Sequence, residues 1–484
     1  MKKHFWAIAL FFVVLCGANP SSAQSRAKLF KLKETPSAKT EKSSLASVRE
    51  SEIAFESLSL IQAETLEIPL FDGKTYSAKR FQTETRAGDD YTWRGRITEG
   101  KFEGDVILTF KNGYVAGIIY APLNAVYEII PKGEKQILIE LNQNLFPECG
   151  GDLKGEQSKP KTETVLATTD SGDRIDVLVL YTTPVKNSLG GDAQAQVFAQ
   201  SAIDTTNTTY INSKIRQRVR LANAQETAIA ETGSLGTELP VVRNDATTAA
   251  LRDQYKADLV AMISNSSDNC GIGYLMGSAN PLNGFTVTSR TCAVGNLSFP
   301  HELGHNMGSQ HNPENGSNPT YPYGFGHYVN GVFRTVMSYV DPCTSGCTRR
   351  PYFSNPEILF SGYPTGIDNA RDNARSINNT ADTIANYRYS GSNLMLSNFN
   401  GGETLPRLIA RNLTWSSDNL TGNVRIEISR DESTTWETIV ANTPNDGAEN
   451  VVVSGRATRH ARLRVVSINS PTVSDSSVRN ISIR

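Results

Sequence analysis

The chain has 484 residues, more than one hydrophobic core usually organises, so we expect several domains. Its 48 Lys and Arg residues balance 49 Asp and Glu residues, which leaves a net charge of -1. A protein that binds nucleic acid normally presents an excess of basic residues on one face, so the composition argues against nucleic acid as a partner.

The chain opens with MKKHFWAIALFFVVLCGANPSSAQS. Two lysines precede an apolar run over residues 5–15, which is shorter than the roughly 20 residues that a membrane span needs. Small residues follow at Ser21 and Ala23, a pattern typical of a secretory signal peptide. We therefore predict a signal peptide over residues 1–23, no membrane span, and a secreted, extracellular protein.

An N-terminal block over residues 24–150 contains short apolar runs such as YTWRGRITEG and KQILIEL. The runs are rich in β-branched and aromatic residues and are separated by Gly, Asn and Pro, which is typical of strands and hairpins. A polar stretch over 151–172 follows, with few large apolar residues. We predict a β-rich block followed by an exposed linker in which the chain can be cut.

A central block over residues 173–390 alternates predicted strands with predicted helices. Strands are expected at RIDVLVLYT, VRLANAQ and DLVAMIS, and a helix around TTAALRDQYKA. In AQAQVFAQSAIDTTNTTYIN the apolar residues recur at the spacing of one helix face: Ala195, Phe198, Ala199, Ala202 and Ile203. This alternation favours a sheet flanked by helices.

Three of the six histidines lie within eleven positions of the stretch NLSFPHELGHNMGSQHN. On a helix, His301 and His305 would project from one face about 5–6 Å apart, close enough to share a metal ion. Gly308 would let the chain leave the helix in a left-handed conformation. That turn would bring His311 back as a third ligand.

Three imidazoles leave the fourth position of a tetrahedral zinc ion open, as a catalytic zinc site requires. Zinc lowers the pKa of a bound water toward neutrality and polarises a carbonyl group, while a nearby carboxylate can take the proton. Glu302 can reach such a water, so the motif predicts Zn²⁺-dependent peptide-bond hydrolysis with Glu302 as general base. Chance occurrence of the five fixed positions is on the order of 10⁻⁵ per chain.

Five cysteines lie outside the predicted signal peptide, and an odd number in an exported chain leaves one unpaired. We expect a tight disulfide between Cys343 and Cys347, since two cysteines alone are a weak metal motif. Cys270 would then pair with Cys292, although other pairings are compatible with the sequence. Cys149 is the odd one.

A C-terminal block over residues 391–484 returns to predicted strands, in runs such as NVRIEIS, TWETIVA, NVVVS and ARLRVVSI. Their spacing is that of a β-sandwich. The block resembles the immunoglobulin-like sandwich modules appended to secreted bacterial hydrolases. Adhesion, substrate targeting and stabilisation are all open roles for it.

The string HELGHNMGSQH resembles the zinc motif of the metzincin metalloendopeptidases. Metzincins carry a methionine turn, the Met-turn, beneath the zinc ion, and TVMSY with Met337 is similar to it. CGIGYLMG and CAVGNLSFPHELGHNMG look most like the reprolysin-like branch, especially bacterial peptidyl-Asp metalloendopeptidases. Over roughly residues 173–390 the resemblance implies an α+β catalytic domain with a twisted mixed sheet, a zinc helix and a Met-turn.

The resemblance also implies how a protein or peptide substrate is held. An edge strand of the sheet, expected in 271–290, would pair with the extended substrate through backbone hydrogen bonds. One wall of the substrate pocket would come from the segment after the Met-turn. Arg349 and Arg350 lie in that segment, and either would favour an acidic substrate side chain if it faced the pocket.

Three further residues add expectations about the helix start and the metal site. Pro300 is tolerated only in a first helical turn, so the zinc helix should begin near Ser298. Tyr339 resembles the Met-turn tyrosine of astacins and serralysins, which can ligate zinc or donate to the oxyanion; simple packing is an equal alternative. Cys149, in PECGG, resembles a cysteine switch, whose thiolate takes the open zinc position; an incidental or paired cysteine is the alternative.

Together these expectations describe a secreted, monomeric zymogen. It would have a β-rich propeptide over 24–150, an activation linker over 151–172, a metzincin domain over 173–390 and an immunoglobulin-like sandwich over 391–484. The alternative is a secreted adhesion protein with a degenerate protease domain. The intact Glu302 argues against that alternative, because a non-catalytic domain has no need of a general base.

Overall fold

The computed structural model describes residues 26–33, 46–87, 89–100, 102–154, 170, 171, 173–276, 279–477 and 479–484. The predicted signal peptide and most of the predicted linker lie outside these residues. None of the helices found within them has the length and apolar character to cross a membrane.

The N-terminal block folds into one ten-stranded sheet. In chain order its strands are Arg26–Lys28 (β1), Phe30–Leu32 (β2), Ser47–Phe55 (β3), Thr65–Pro69 (β4), Thr75–Ala87 (β5), Asp90–Glu99 (β6), Phe102–Lys111 (β7), Tyr114–Tyr120 (β8), Val126–Lys132 (β9) and Lys135–Leu141 (β10). The order across the sheet is β1-β4-β5-β6-β7-β8-β9-β10-β3-β2. One residue separates β1 from β2, so the two ends of the sheet meet at this run.

Alternate residues of these strands face two different cores, as the two-residue period of a strand dictates. On β7, Val106 and Leu108 pack inside the N-terminal sheet. Ile107, and Ile118 on β8, belong instead to the core of the central block. The N-terminal and central blocks therefore share one continuous apolar core.

The central block is a mixed sheet with helices, as expected. Its sheet strands are Asp152–Lys154 (β11), Arg174–Thr182 (β12), Arg218–Thr227 (β13), Leu259–Ser264 (β14), Gly271–Leu275 (β15) and Phe285–Ser289 (β16), in the order β11-β15-β16-β14-β12-β13. The helices are Thr183–Leu189 (α1), Asp192–Asn212 (α2), Leu235–Asn244 (α3), Ala246–Gln254 (α4), Arg290–Ala293 (α5), Ser298–Asn306 (α6) and Asn373–Ile384 (α7). Two small hairpins lie between α6 and α7: Tyr328–Val329 (β17) with Phe333–Arg334 (β18), and Leu359–Phe360 (β19) with Tyr363–Pro364 (β20).

Helix α2 has the predicted apolar face, since the five residues named for it are all buried in the central core. Its polar side is buried as well, under β7 and β8 of the N-terminal block. Asp204 lies there with no exposed surface and accepts hydrogen bonds from Thr92 Oγ1 at 2.5 Å and Thr109 Oγ1 at 2.7 Å. Burial opposes its ionisation, but Arg86 and Arg94 outweigh burial and lower the pKa of Asp204.

The C-terminal block is made of strands alone among its described residues. They are Asn393–Leu396 (β21), Thr404–Leu405 (β22), Arg411–Asp418 (β23), Val424–Ser429 (β24), Glu437–Thr443 (β25), Ala448–Val451 (β26), Thr458–Ser467 (β27), Ser474–Ser476 (β28) and Ile481–Ile483 (β29). β21, β23 and β26 form one sheet, and the other strands form a second. Apolar residues from both sheets, such as Leu413 and Ile426, share one core.

Both expected disulfides are present. Cys270 bonds to Cys292, and Cys343 bonds to Cys347. Cys149 is the free cysteine of the described residues.

Candidate active site

Helix α6 carries the first two histidines and begins at Ser298, as Pro300 in its first turn predicts. Leu297 precedes it in the left-handed region, with φ of 56°. Gly308 follows it with φ of 79°, and a Cβ at that position would lie 2.6 Å from Thr320 Oγ1. Only glycine suits this turn, which returns the chain toward the helix.

The three predicted histidines converge through their Nε2 atoms. His311 Nε2 lies 3.0 Å from His305 Nε2 and 3.1 Å from His301 Nε2. The Nδ1 atoms of His301 and His305 face the carbonyl oxygens of Val336 at 2.8 Å and Ser309 at 3.0 Å. A carbonyl only accepts hydrogen bonds, so each Nδ1 carries the proton and each Nε2 presents a lone pair.

This donor set fits a metal ion. Lone pairs 3.0–3.1 Å apart repel one another unless a cation lies between them. Nitrogen ligands about 2.0–2.1 Å from a tetrahedral zinc ion would be roughly 3.3 Å apart, close to the observed spacing. Burial also lowers the pKa of His301 and His311 well below the ordinary value, which favours the neutral form that binds metals.

Cys149 of the N-terminal block belongs to the same cluster. Its Sγ and one nitrogen of each of the three histidines all lie within 4.8 Å of one another. Sγ is 3.9 Å from His305 Nε2 and 3.7 Å from Glu302 Oε2. Burial and the Glu302 carboxylate raise the pKa of the Cys149 thiol, whereas a metal cation has the opposite effect and deprotonates a coordinating thiol.

The segment around Cys149 crosses the cluster beside β15. The backbone of Cys270 donates to Glu148 O at 3.1 Å, and the backbone of Gly150 donates to Gly271 O at 2.8 Å. β11 then continues alongside β15 in parallel. β15 lies in the region predicted for the edge strand, but β11 already pairs with its edge. Residues 152–154 were expected in the exposed linker and instead form this strand.

Glu302 is fully buried next to the histidines. Burial raises its pKa to about 8, opposed by a hydrogen bond from Cys149 and by the charge of Arg349. Its Oε1 has no hydrogen-bond partner among the described residues. A Cβ at Gly271 would lie 2.4 Å from this oxygen, so glycine on β15 makes room for the carboxylate.

Met337, the residue expected in a Met-turn, lies directly against α6. A Cβ at Gly304 would lie 2.7 Å from Met337 Sδ and 3.0 Å from Phe353 Cε1. Gly304 stands between the two helical histidines in sequence. The small residue therefore lets the methionine approach the helix that carries them.

Tyr339 lies beside the histidine cluster. Its ring centroid is 4.3 Å from that of His311, and its hydroxyl donates to Cys149 O at 3.0 Å. Burial raises the pKa of Tyr339, so the hydroxyl keeps its proton and remains a donor. Its ring therefore packs on His311 while its hydroxyl faces the Cys149 segment.

Sequence reasoning missed several residues at this site. Glu148 stands next to Cys149, and Gly271 lies in the stretch CGIGYLMG that the resemblance rests on, so a local signal existed for both. Asn306 had no such signal. Its Nδ2 donates to Tyr274 O at 2.8 Å and to a second backbone carbonyl, which ties α6 to β15.

Comparisons with known proteins agree with this geometry. Residues 197–312, from α2 to just beyond His311, match the family described as Metallo-peptidase family M12B Reprolysin-like. A peptidyl-Asp metalloendopeptidase from Xanthomonas campestris pv. campestris is 30% identical over 348 residues, which cover 67% of this chain and 82% of that relative. Another of that name, from Stenotrophomonas maltophilia strain K279a, is 29% identical over 398 residues, which cover 76% of this chain and 91% of the relative.

A solved structure described as "Structure of a chaperone-substrate complex" aligns at a TM-score of 0.39 and 19% identity, covering 67% of this chain and 41% of that one. That score is too low to indicate a shared fold. The family match, by contrast, covers the histidine cluster, and the two relatives align with 67% and 76% of the chain. The chain therefore belongs to the reprolysin-like M12B metallopeptidases and is a metalloendopeptidase that acts on proteins or peptides.

Proposed function

We propose that the chain is an exported zinc metalloendopeptidase made as a zymogen. His301, His305 and His311 would hold the zinc ion, and Glu302 would be the general base. The observation that carries this proposal is the convergence of three Nε2 lone pairs beside a buried carboxylate and the Cys149 thiol. Three imidazole nitrogens and one thiolate are ligands that would suit zinc.

Each residue would have a distinct task in hydrolysis. When bound, zinc would polarise the scissile carbonyl and activate a water molecule. Glu302 would accept the proton of that water and return it to the departing amine. Tyr339 would donate its hydroxyl hydrogen to the substrate oxygen as negative charge develops there, just as it donates to Cys149 O in the full chain.

Latency would have two causes. The Cys149 thiolate would take the fourth metal position, where it excludes water. The segment from Glu148 to β11 also covers β15, the strand expected to pair with substrate. Cleavage in the linker and removal of the N-terminal block would free both.

The same proposal covers the remaining organisation of the chain. Residues 24–150 would be the propeptide, 151–172 the activation linker, 173–390 the metzincin domain and 391–484 an immunoglobulin-like sandwich, in a monomer. Two sheets around one core support the sandwich assignment. The signal-like N-terminus and two disulfides support export to an oxidising compartment.

The substrate would carry an aspartate beside the bond that is cut. The two relatives reported above are named peptidyl-Asp metalloendopeptidases, and this supports the preference.

The test combines metal removal with loss of the carboxylate. A chelator should abolish cleavage of a protein substrate, and zinc should restore it. Glu302→Ala should keep its metal but lose about 10²–10⁴-fold in turnover, because the proton acceptor is gone. Glu357→Ala, which removes an exposed carboxylate of the same block, is the matched control and should be fully active. Comparable turnover in Glu302→Ala and the wild type would refute the assignment.

A further inference from the structure

A carboxylate of the N-terminal block lies beside the metal-ligand cluster. Glu148, the residue before Cys149, places Oε1 2.9 Å from the backbone nitrogen of Val340 and Oε2 3.8 Å from Arg349 Nη2. Val340 directly follows Tyr339. The acidic side chain adjacent to the thiol therefore enters the segment that follows Met337.

Arg349 is built into this segment with little access to solvent. Only 2% of its surface is exposed. Its Nη1 donates to Asn296 O at 3.0 Å and its Nη2 to Ser338 O at 3.1 Å, while Nε has no hydrogen-bond partner among the described residues. The guanidinium is thus fixed in place and retains unused donor capacity.

A second buried guanidinium adjoins the first. Arg334 is 1% exposed and donates from Nη1 to the same Ser338 O at 2.8 Å, and its Nε likewise has no partner in the described part of the chain. Burial lowers the pKa of both arginines, and the charge of the Glu148 carboxylate, 3.8 Å from Arg349 Nη2, opposes that effect. Two buried guanidinium groups therefore lie beside a carboxylate that belongs to the N-terminal block.

Removal of the N-terminal block would leave these two charges without that anion. Two guanidinium groups held close together without a partner anion attract a carboxylate, so the vacated position should bind another one. Cys149 Sγ lies among the histidine nitrogens, and Glu148 is the residue next to it. A substrate whose scissile bond lay at the metal in place of Cys149 would therefore bring the side chain next to that bond to the position of the Glu148 carboxylate.

We propose that Arg349, assisted by Arg334, forms the subsite that selects an acidic side chain flanking the scissile bond. Glu148 occupies this subsite in the full chain as an internal mimic of the substrate. The inference rests on the proposed peptidase function and assigns its selectivity to one residue.

Arg350 is the neighbouring arginine and faces elsewhere. Its guanidinium lies 5.2–5.7 Å from the ring centroids of Phe102, Tyr120 and Phe360, and Nη2 donates to Asn124 Oδ1 at 2.8 Å. Three of these four partners belong to the N-terminal block. Arg350 is equally buried and none of these side-chain contacts involves Glu148 or the Met-turn, so it serves as a matched control.

The test compares kcat/KM for peptides that are identical except for Asp or Asn next to the scissile bond, using whichever form, full or processed, cleaves them. Wild type should favour Asp at least about tenfold, because a charge-assisted pair is lost with Asn. Arg349→Gln should reduce the preference to about threefold or less, and Arg350→Gln should retain it. No preference in the wild type, an unchanged preference in Arg349→Gln, or loss in Arg350→Gln would overturn the inference.

A second variant keeps the test valid if Arg349→Gln does not fold. Glu148→Gln leaves both arginines in place and should shorten the latent period of the full chain at least about threefold, with Glu148→Asp closer to the wild type. Equal latency of Glu148→Gln and the wild type would contradict the mimicry. A wild-type chain that cleaves neither peptide contradicts the proposed function itself, whereas equal cleavage of both contradicts only the selectivity.

Discussion

Gly271 controls the position of the Glu302 carboxylate, and Gly271→Ala tests that control. A Cβ at this position would lie 2.4 Å from Glu302 Oε1 and 2.7 Å from both Cδ and Cγ. Ordinary contacts begin at 3.4 Å, so the carboxylate would have to move by about 1 Å. A displacement of that size can cost about 10²-fold in rate when it misplaces a reacting group.

We therefore expect Gly271→Ala to lose about 10²-fold in kcat while keeping its metal, since residue 271 supplies no ligand. The assay measures peptide cleavage after removal of the N-terminal block, with metal content and melting temperature on the same samples. Gly236→Ala is the control, because its nearest neighbour would be 3.8 Å away. A kcat within about threefold of wild type, with unchanged metal and melting temperature, would refute a role for the Glu302 position in turnover.

Three further variants test other parts of the site. Cys149→Ser in the full chain should process itself faster than the wild type. It should stay partly latent, because β11 still covers β15. Latency equal to that of the wild type would mean that steric blockage alone inhibits the enzyme. Tyr339→Phe should lower kcat by about 10²-fold with little change in KM, and an unchanged kcat would return the residue to a packing role. Gly304→Ala should destabilise the chain by about 1–3 kcal/mol in thermal unfolding, because its Cβ would meet Met337 Sδ at 2.7 Å; equal stability would show that the methionine yields without cost.

Short sequence patterns predicted the strands, helix starts and ligand groups that depend on residues close together in the chain. RIDVLVLYT coincides with β12, and the restriction at Pro300 placed the start of α6 at Ser298. The histidines were predictable as a group because they lie within eleven positions and one helical turn joins two of them. Periodicity and proline geometry act over a few residues, so they can be read from the chain directly.

Contacts between distant residues could not be predicted in this way. The apolar spacing of α2 predicted one buried face and gave no partner for its polar side, where Asp204 accepts a hydrogen bond from Thr92, 112 positions away. Glu148 reaches Val340 across 192 positions, and no period in the sequence marks that pair. Both depend on how the N-terminal block docks on the central block, which is a property of the whole fold.

X-ray absorption at the zinc edge tests most directly whether one metal ion is held by the three imidazoles and, before processing, by Cys149. The zinc-loaded full chain should show nitrogen ligands at about 2.0–2.1 Å and one sulfur at about 2.3 Å. The sulfur should disappear in Cys149→Ser while the nitrogen shell remains. A wild-type spectrum without sulfur, or one without imidazole nitrogens, would contradict this metal centre.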